Sequence, residues 1–179
     1  MTENYRKFVV LLIDKVVNAE LIIQKILGGI TIFDALSIYK ISNFLYRYDI
    51  PFIPRILTLL NLVIFNAYIP YSAKIGTNCV VGYGGLSIVI HPRSQIGEHV
   101  VISQCVTIGG RSKIKSVPII GNNVLIGAGA KILGNVSVGD NCVIGANAVV
   151  ITDVPNNCVV AGIPGKIIKS QININDYIW

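Results

Sequence analysis

Few side chains in this sequence can take a proton near neutral pH, and that scarcity narrows the chemistry. Only two histidines occur, His91 and His99. Histidine is the usual general base because its ordinary pKa lies near neutrality. His91 stands in Ile88-Val89-Ile90-His91-Pro92, just after the glycine-bearing stretch Tyr83-Gly84-Gly85. His99 stands in Gly97-Glu98-His99-Val100, a slot that reads as an ordinary polar turn position. The four cysteines, Cys79, Cys105, Cys142 and Cys158, match no zinc-ligand spacing, so no metal is expected. Cys142 reads as core. Cys105 could carry an acyl group only if it lay within hydrogen-bond reach of His91. With four unpaired thiols and no leader-like N-terminus, the chain is expected to be cytoplasmic.

The elements that hold these residues follow from a repeat. Every sixth position from 90 to 150 is Ile or Val: Ile90, Ile96, Ile102, Ile108, Ile114, Ile120, Ile126, Ile132, Val138, Ile144 and Val150. Four residues after many of these lies a second track of smaller residues, including Val100, Val124, Ala130, Cys142 and Ala148. Such a period predicts one short strand and one turn per six residues, with three repeats closing a triangular coil. Both tracks then point inward, and residues 18 apart stack. Asn and Asp suit the corners because they tolerate left-handed backbone. Stacking places His91 beside Gly109-Gly110, whose bare backbone would let a ligand approach. Ile75-Gly76 is out of step with this register, so an irregularity falls between Val81 and Val89. From Ile108 to Ile120 the spacing permits either an unbroken coil or a protruding loop over 111–118.

Residues 1–66 read as helix. Apolar positions recur at helical spacing, Gly28-Gly29 stops a first helix, Thr31 with Asp34 caps a second, and Pro54 opens a third that runs to about Asn66. The N-terminal apolar stretch is interrupted by Asp14, Lys15, Glu20 and Lys25, which argues against a membrane span and leaves peripheral membrane association open. The apolar residues make up 53% and the charged ones 13%, too few to cover a large surface, so self-association is expected. The net charge of +6 is spread out, with one cluster at Arg111, Lys113 and Lys115. That excludes a nucleic-acid-binding tail and suits a phosphate-bearing ligand. The expected division is a helical region over 1–66, a β-helix over 67–169 and a tail over 170–179.

Five stretches carry a resemblance. They are IPYSAKIG (69–76), GYGGLSIVIHP (82–92), SQCVTIGG (103–110), VLIGAGAKILGNVSVGDNCVIGANAVV (124–150) and DVPNNCVVAGIPGKIIK (153–169). Together they resemble the hexapeptide-repeat acetyltransferases, in the serine O-acetyltransferase-like branch, which also includes capsule and exopolysaccharide enzymes. The resemblance implies a left-handed parallel β-helix, acetyl-CoA as co-substrate, and a homotrimer with active sites between subunits. It implies donor contacts at Gly110, Ala128, Ala146 and Lys166, to which the charge pattern adds Arg111 as a partner for CoA phosphates.

On the acceptor side the set is Tyr83, Gly84, Gly85 and Gln104. Here the sequence departs from true serine acetyltransferases. Their catalytic histidine slot holds Tyr83, the slot of its orienting carboxylate holds Tyr68, and a second histidine slot holds Val117. The stretch around Gly84-Gly85 instead looks like the polysaccharide enzymes. The expectation is therefore direct acetyl transfer to a saccharide hydroxyl with His91 as base, oriented if at all by Glu98. Serine O-acetylation and a non-catalytic assembly role are the alternatives.

Overall fold

In the computed structural model, residues 34–177 are described. The first helix expected from the sequence, its Gly28-Gly29 stop and the Thr31 cap lie outside them. The first described helix, α1, spans Ala35–Arg47 and is capped by Asp34, whose carboxylate accepts from the Ser37 N–H at 2.7 Å. Asp34 is itself extended (φ −133°, ψ 169°) and its side chain reaches the first turn. The second helix, α2, spans Ile53–Phe65 with a proline in its first turn and ends at Asn66 in left-handed backbone.

From Lys74 the chain winds into a parallel β-helix whose short strands form three faces. One face stacks β1 (Lys74–Ile75), β4 (Gln95–Ile96), β7 (Ile119–Ile120) and β10 (Ser137–Val138). The second stacks β2 (Val80–Val81), β5 (Val101–Ile102), β8 (Leu125–Ile126), β11 (Val143–Ile144), β13 (Cys158–Ala161) and β14 (Lys166–Ser170). The third stacks β3 (Val89–Ile90), β6 (Thr107–Gly109), β9 (Lys131–Leu133) and β12 (Val149–Val150). All pairings are parallel except β13 with β14, where the chain doubles back over the last coil. The coil is left-handed, an exception to the usual right-handed crossover.

The inward tracks are as expected, with one correction. Ile90, Ile102, Ile108, Ile126, Ile132 and Ile144 are fully buried, and Val100, Val106, Ala130, Cys142 and Ala148 lie beside them. Ile114 breaks the track: it is 38% exposed. The pairing explains why. Gln95 stacks on Ile119 and Ile96 on Ile120, a spacing of 24 rather than 18, so one repeat's worth of chain leaves the coil. Arg111 and Ile114 close a tight turn in that excursion, with the Ile114 N–H donating to the Arg111 carbonyl at 3.0 Å. The segment 111–118 is therefore a protruding loop and not an unbroken coil.

The earlier irregularity has a packing cause. Lys74 pairs with Gln95 and Val80 with Val101, a spacing of 21, so three residues are extra between Val81 and Val89. They are taken up by a turn over Gly82–Gly85, where Tyr83, Gly84 and Gly85 all have positive φ. A side chain on Gly85 would meet the Ala35 Cβ at 2.7 Å. Glycine at that point lets α1 lie against the first coil, where its Tyr39 hydroxyl donates to the Ala73 carbonyl at 2.7 Å.

The corner between the first and second faces carries a polar ladder. Asn78, His99, Asn123, Asn141 and Asn157 occupy one column, all with left-handed backbone. Asn123 donates to Asn141 and Asn141 to Asn157, each at 3.1 Å. His99 thus stands where neighbouring coils place asparagine.

The track makes a quantitative prediction. Truncating Ile108 or Ile126 to Ala should cost about 2–5 kcal/mol in denaturant unfolding. Ile114→Ala, on the loop, should stay within about 0.5 kcal/mol of the parent.

Candidate active site

The third corner, after β3, β6, β9 and β12, carries no such ladder and releases the protruding loop. His91 follows β3, and its backbone N–H donates to the Ile108 carbonyl at 2.8 Å, which fixes it against the next coil. A Cβ placed on Gly110 would lie 3.9 Å from the His91 Cδ2, so ring and glycine are neighbours, as stacking by 18 requires. No described residue accepts from the Gly110 N–H. A bare amide beside an imidazole is a combination that can serve an oxyanion and a proton in one reaction.

The orientation of His91 comes from a residue that sequence inspection passed over. The Arg93 backbone N–H donates to His91 Nδ1 at 3.1 Å, so the neutral ring carries its proton on Nε2. The Arg93 guanidinium reaches across the corner and donates to the Lys115 carbonyl at 2.6 Å, which pins the protruding loop. Burial, and then the Arg93 charge, lower the His91 pKa below its ordinary value. Glu98 is not the orienting partner. Its N–H is held by the Asn122 side chain at 2.8 Å in the neighbouring corner column, and no described hydrogen bond links it to His91. The only sequence signal for Arg93 was its place in His91-Pro92-Arg93, where the chain turns sharply.

The remaining site residues divide between two edges of the third face. Gly110 and Arg111 share the His91 edge. Ala128 and Ala146 lie on the opposite edge, stacked so that the Asn147 N–H donates to the Ala128 carbonyl at 2.8 Å. Gln104 belongs to that second edge, since the Gly129 N–H donates to its carbonyl at 2.9 Å. Tyr83, 83% exposed, stands at the base of the same column, with Gly84 and Gly85 beside it against Phe65 and Ala35. Lys166 follows the Gly162–Gly165 turn, and the Gly165 N–H donates to the Val149 carbonyl at 2.8 Å, which sets Lys166 above the last coil of the face. Cys105 is exposed on the Gln104 edge, and its carbonyl accepts from Lys131 Nζ at 2.6 Å. Within one chain the face thus separates His91 and Gly110 from Gln104, Ala128 and Ala146. Among the described residues no cluster of His, Cys, Asp and Glu could hold a metal ion.

Between the two edges the face presents Tyr68 and Val89, both about 40% exposed and bridged to each other. Val117 is half-buried in the protruding loop.

Comparison with known proteins adds four likenesses. Residues 118–152 match the family described as bacterial transferase hexapeptide (six repeats). A serine acetyltransferase of Synechococcus elongatus is 40% identical over 146 residues, covering 80% of this chain and 59% of the relative. Among solved structures, a serine acetyltransferase in complex with cysteine is 36% identical with a TM-score of 0.70, over 75% of this chain and 56% of the other. A serine acetyltransferase from Brucella abortus in complex with coenzyme A is 32% identical with a TM-score of 0.72, over 78% and 56%. The chain therefore spans less than two thirds of the length of these proteins. The saccharide acceptor expected from the sequence is overturned here. The curated relatives and these neighbours are serine acetyltransferases, so the substitutions at Tyr68, Tyr83 and Val117 do not by themselves move the chain to the polysaccharide enzymes.

The His91 environment gives a measurable outcome. In an NMR titration the His91 ring should titrate below the model-peptide value of about 6.5. Arg93→Gln removes one of the two causes and should move the midpoint upward, while the burial that lowers it remains.

Proposed function

The chain belongs to the hexapeptide-repeat family of left-handed β-helices, and we propose on that premise that it is an acetyltransferase moving the acetyl group of acetyl-CoA to the hydroxyl of serine. The observation that carries the acceptor is the 40% identity, over 80% of this chain, with a serine acetyltransferase. The donor is supported by the structural neighbour that binds coenzyme A.

In the proposed reaction the serine hydroxyl attacks the thioester carbonyl. The hydroxyl proton goes to His91, a tetrahedral oxyanion forms, and the C–S bond breaks as the proton passes to the CoA sulfur. The Gly110 N–H, next to the ring, would stabilise the oxyanion. One energetic question decides whether His91 can serve. Its resting tautomer has the proton on Nε2, held there by Arg93 at Nδ1. Freeing a ring nitrogen to accept means giving up that one hydrogen bond, worth about 1 kcal/mol. A positioned base contributes about 10²–10⁴-fold, or about 3–5 kcal/mol, so the exchange still favours catalysis.

The two edges of the third face suit a site shared between copies. His91, Gly110 and Arg111 come from one chain, and Gln104, Ala128, Ala146 and Lys166 from a neighbour in a trimer. The small side chains at Ala128 and Ala146 leave a groove for the pantetheine arm. Arg111 and Lys166 are cations for the CoA phosphates. Tyr68, on the face between the edges, and Tyr83 take the acceptor-side slots that other members fill with a carboxylate and a histidine.

Mixing the protein with acetyl-CoA and serine and following the free thiol of CoA tests the proposal. The expected outcome is serine-dependent release within the ordinary enzymatic range of roughly 1–1,000 per second. Release that is independent of serine, or absent at saturating serine, would overturn it. His91→Ala should lower the rate by about 10²–10⁴-fold. It should still show the rise in melting temperature that acetyl-CoA gives the parent. His99→Ala should match the parent.

The pH profile follows from the sign of the shift. Because the His91 pKa is lowered, the neutral ring persists below pH 6.5. Activity should therefore hold through that value and fall only at lower pH. A profile already half lost near pH 7 would contradict the assignment of His91 as base.

A further inference from the structure

Helix α2 turns the wrong side outward for a helix that packs only on its own chain. Its buried positions are Pro54, Thr58 and Asn61. Its exposed side runs from Leu62 through Leu59, Val63, Ile56 and Ile53 to Ile64, an arc of about 200° at 3.6 residues per turn, interrupted only by Arg55. Two side-chain hydrogen bonds join α1 and α2. Ser42 Oγ donates to the Pro54 carbonyl at 2.8 Å and Asn61 Nδ2 donates to the Ala35 carbonyl at 2.8 Å. Polar groups between helices and apolar groups outside are the arrangement of helices whose surroundings are lipid.

Three observations select the occupant of this face. First, its width: a helix seated on a protein partner covers a stripe of about 100°, half of what α2 exposes. Second, its charge: residues 35–66 carry Lys40, Arg47 and Arg55 against one carboxylate, Asp49, and α2 itself has no acidic residue. A second copy of a chain with net charge +6 offers Arg55 no α2 carboxylate to meet, whereas an anionic bilayer does. Third, its tip: Phe52, the residue before α2, holds a left-handed φ of 67° that bulky side chains rarely adopt, and is 79% exposed. The helix has 13 residues, about 20 Å of length, against a hydrocarbon core of about 30 Å. Among the described residues no helix is long and apolar enough to cross a membrane. A helix of this kind lies in the plane of the interface.

We propose that α2 docks the protein on an anionic lipid bilayer, with Phe52 and Val63 in the boundary between headgroups and acyl chains and Arg55 among the lipid phosphates. The proposal is independent of the acetyl acceptor, because α2 contributes no residue to the His91 corner.

Sedimentation of the full chain with phosphatidylcholine vesicles, with and without phosphatidylserine, tests it. The protein should pellet with the phosphatidylserine vesicles, less with pure phosphatidylcholine, and less again as salt is raised. The double substitution Phe52→Ser and Val63→Ser should weaken partitioning by roughly tenfold or more, since two large apolar side chains no longer enter the interface. Arg55→Glu should weaken binding to the anionic vesicles selectively. Both side chains of the double variant are exposed, so circular dichroism and CoA release should match the parent, which separates loss of docking from loss of fold or activity. Failure to pellet with phosphatidylserine vesicles, or equal pelleting of the double variant, would overturn the proposal. A parent that stays in solution, and whose light-scattering mass drops in the double variant, would assign the face to a second copy instead.

Discussion

Each coil is completed by the next one. The His91 N–H is satisfied by Ile108, Gly97 by Ile120 and Ser103 by Ile126, all at 2.8–2.9 Å. No strand here could form alone: the strands within the coil are two to four residues long and their backbone groups find partners only along the helix axis. The same stacking fixes the interior. A triangular cross-section leaves room for one large aliphatic side chain per strand and one small residue near each corner, which is why the axis is filled by Ile and Val with Ala, Val or Cys between. Variation is therefore confined to the corners and to the outward side chains.

The corners are not equivalent. The first is locked by left-handed residues and a side-chain ladder of Asn and Asp. The third is free of that requirement. It can release a loop, hold Pro92 and present His91. Arg93 couples the two irregular features of this corner, the ring and the loop, through one residue's amide and guanidinium.

The repeat was legible in the sequence because a six-residue period of Ile and Val survives any detail of turn conformation, and so was the adjacency of His91 and Gly110, which follows from stacking alone. Ile114 was misplaced for the same reason. It keeps the period while the chain leaves the coil, and only the pairing of Gln95 with Ile119 shows the excursion. Tyr83-Gly84-Gly85 was marked as a functional irregularity, yet Gly85 is required by the approach of Ala35, a contact between residues 50 apart that no local pattern encodes. The orienting amide of Arg93 was invisible because every residue has one. Three substituted side chains suggest a different acceptor, whereas the relatedness of the whole coil is to serine acetyltransferases.

The doubling back of β14 on β13 closes the one face that would otherwise extend upward. An open last coil would offer unpaired strand edges to a neighbouring molecule, and the antiparallel strand with its lysines denies that edge. It also makes the protein a ruler. From the level of Thr107 the third face rises through Lys131 and Val149 to the turn before Lys166, three rungs of about 4.8 Å, or roughly 14 Å in all. That separation changes only in whole rungs, so gaining or losing one repeat triplet would change it by a full step.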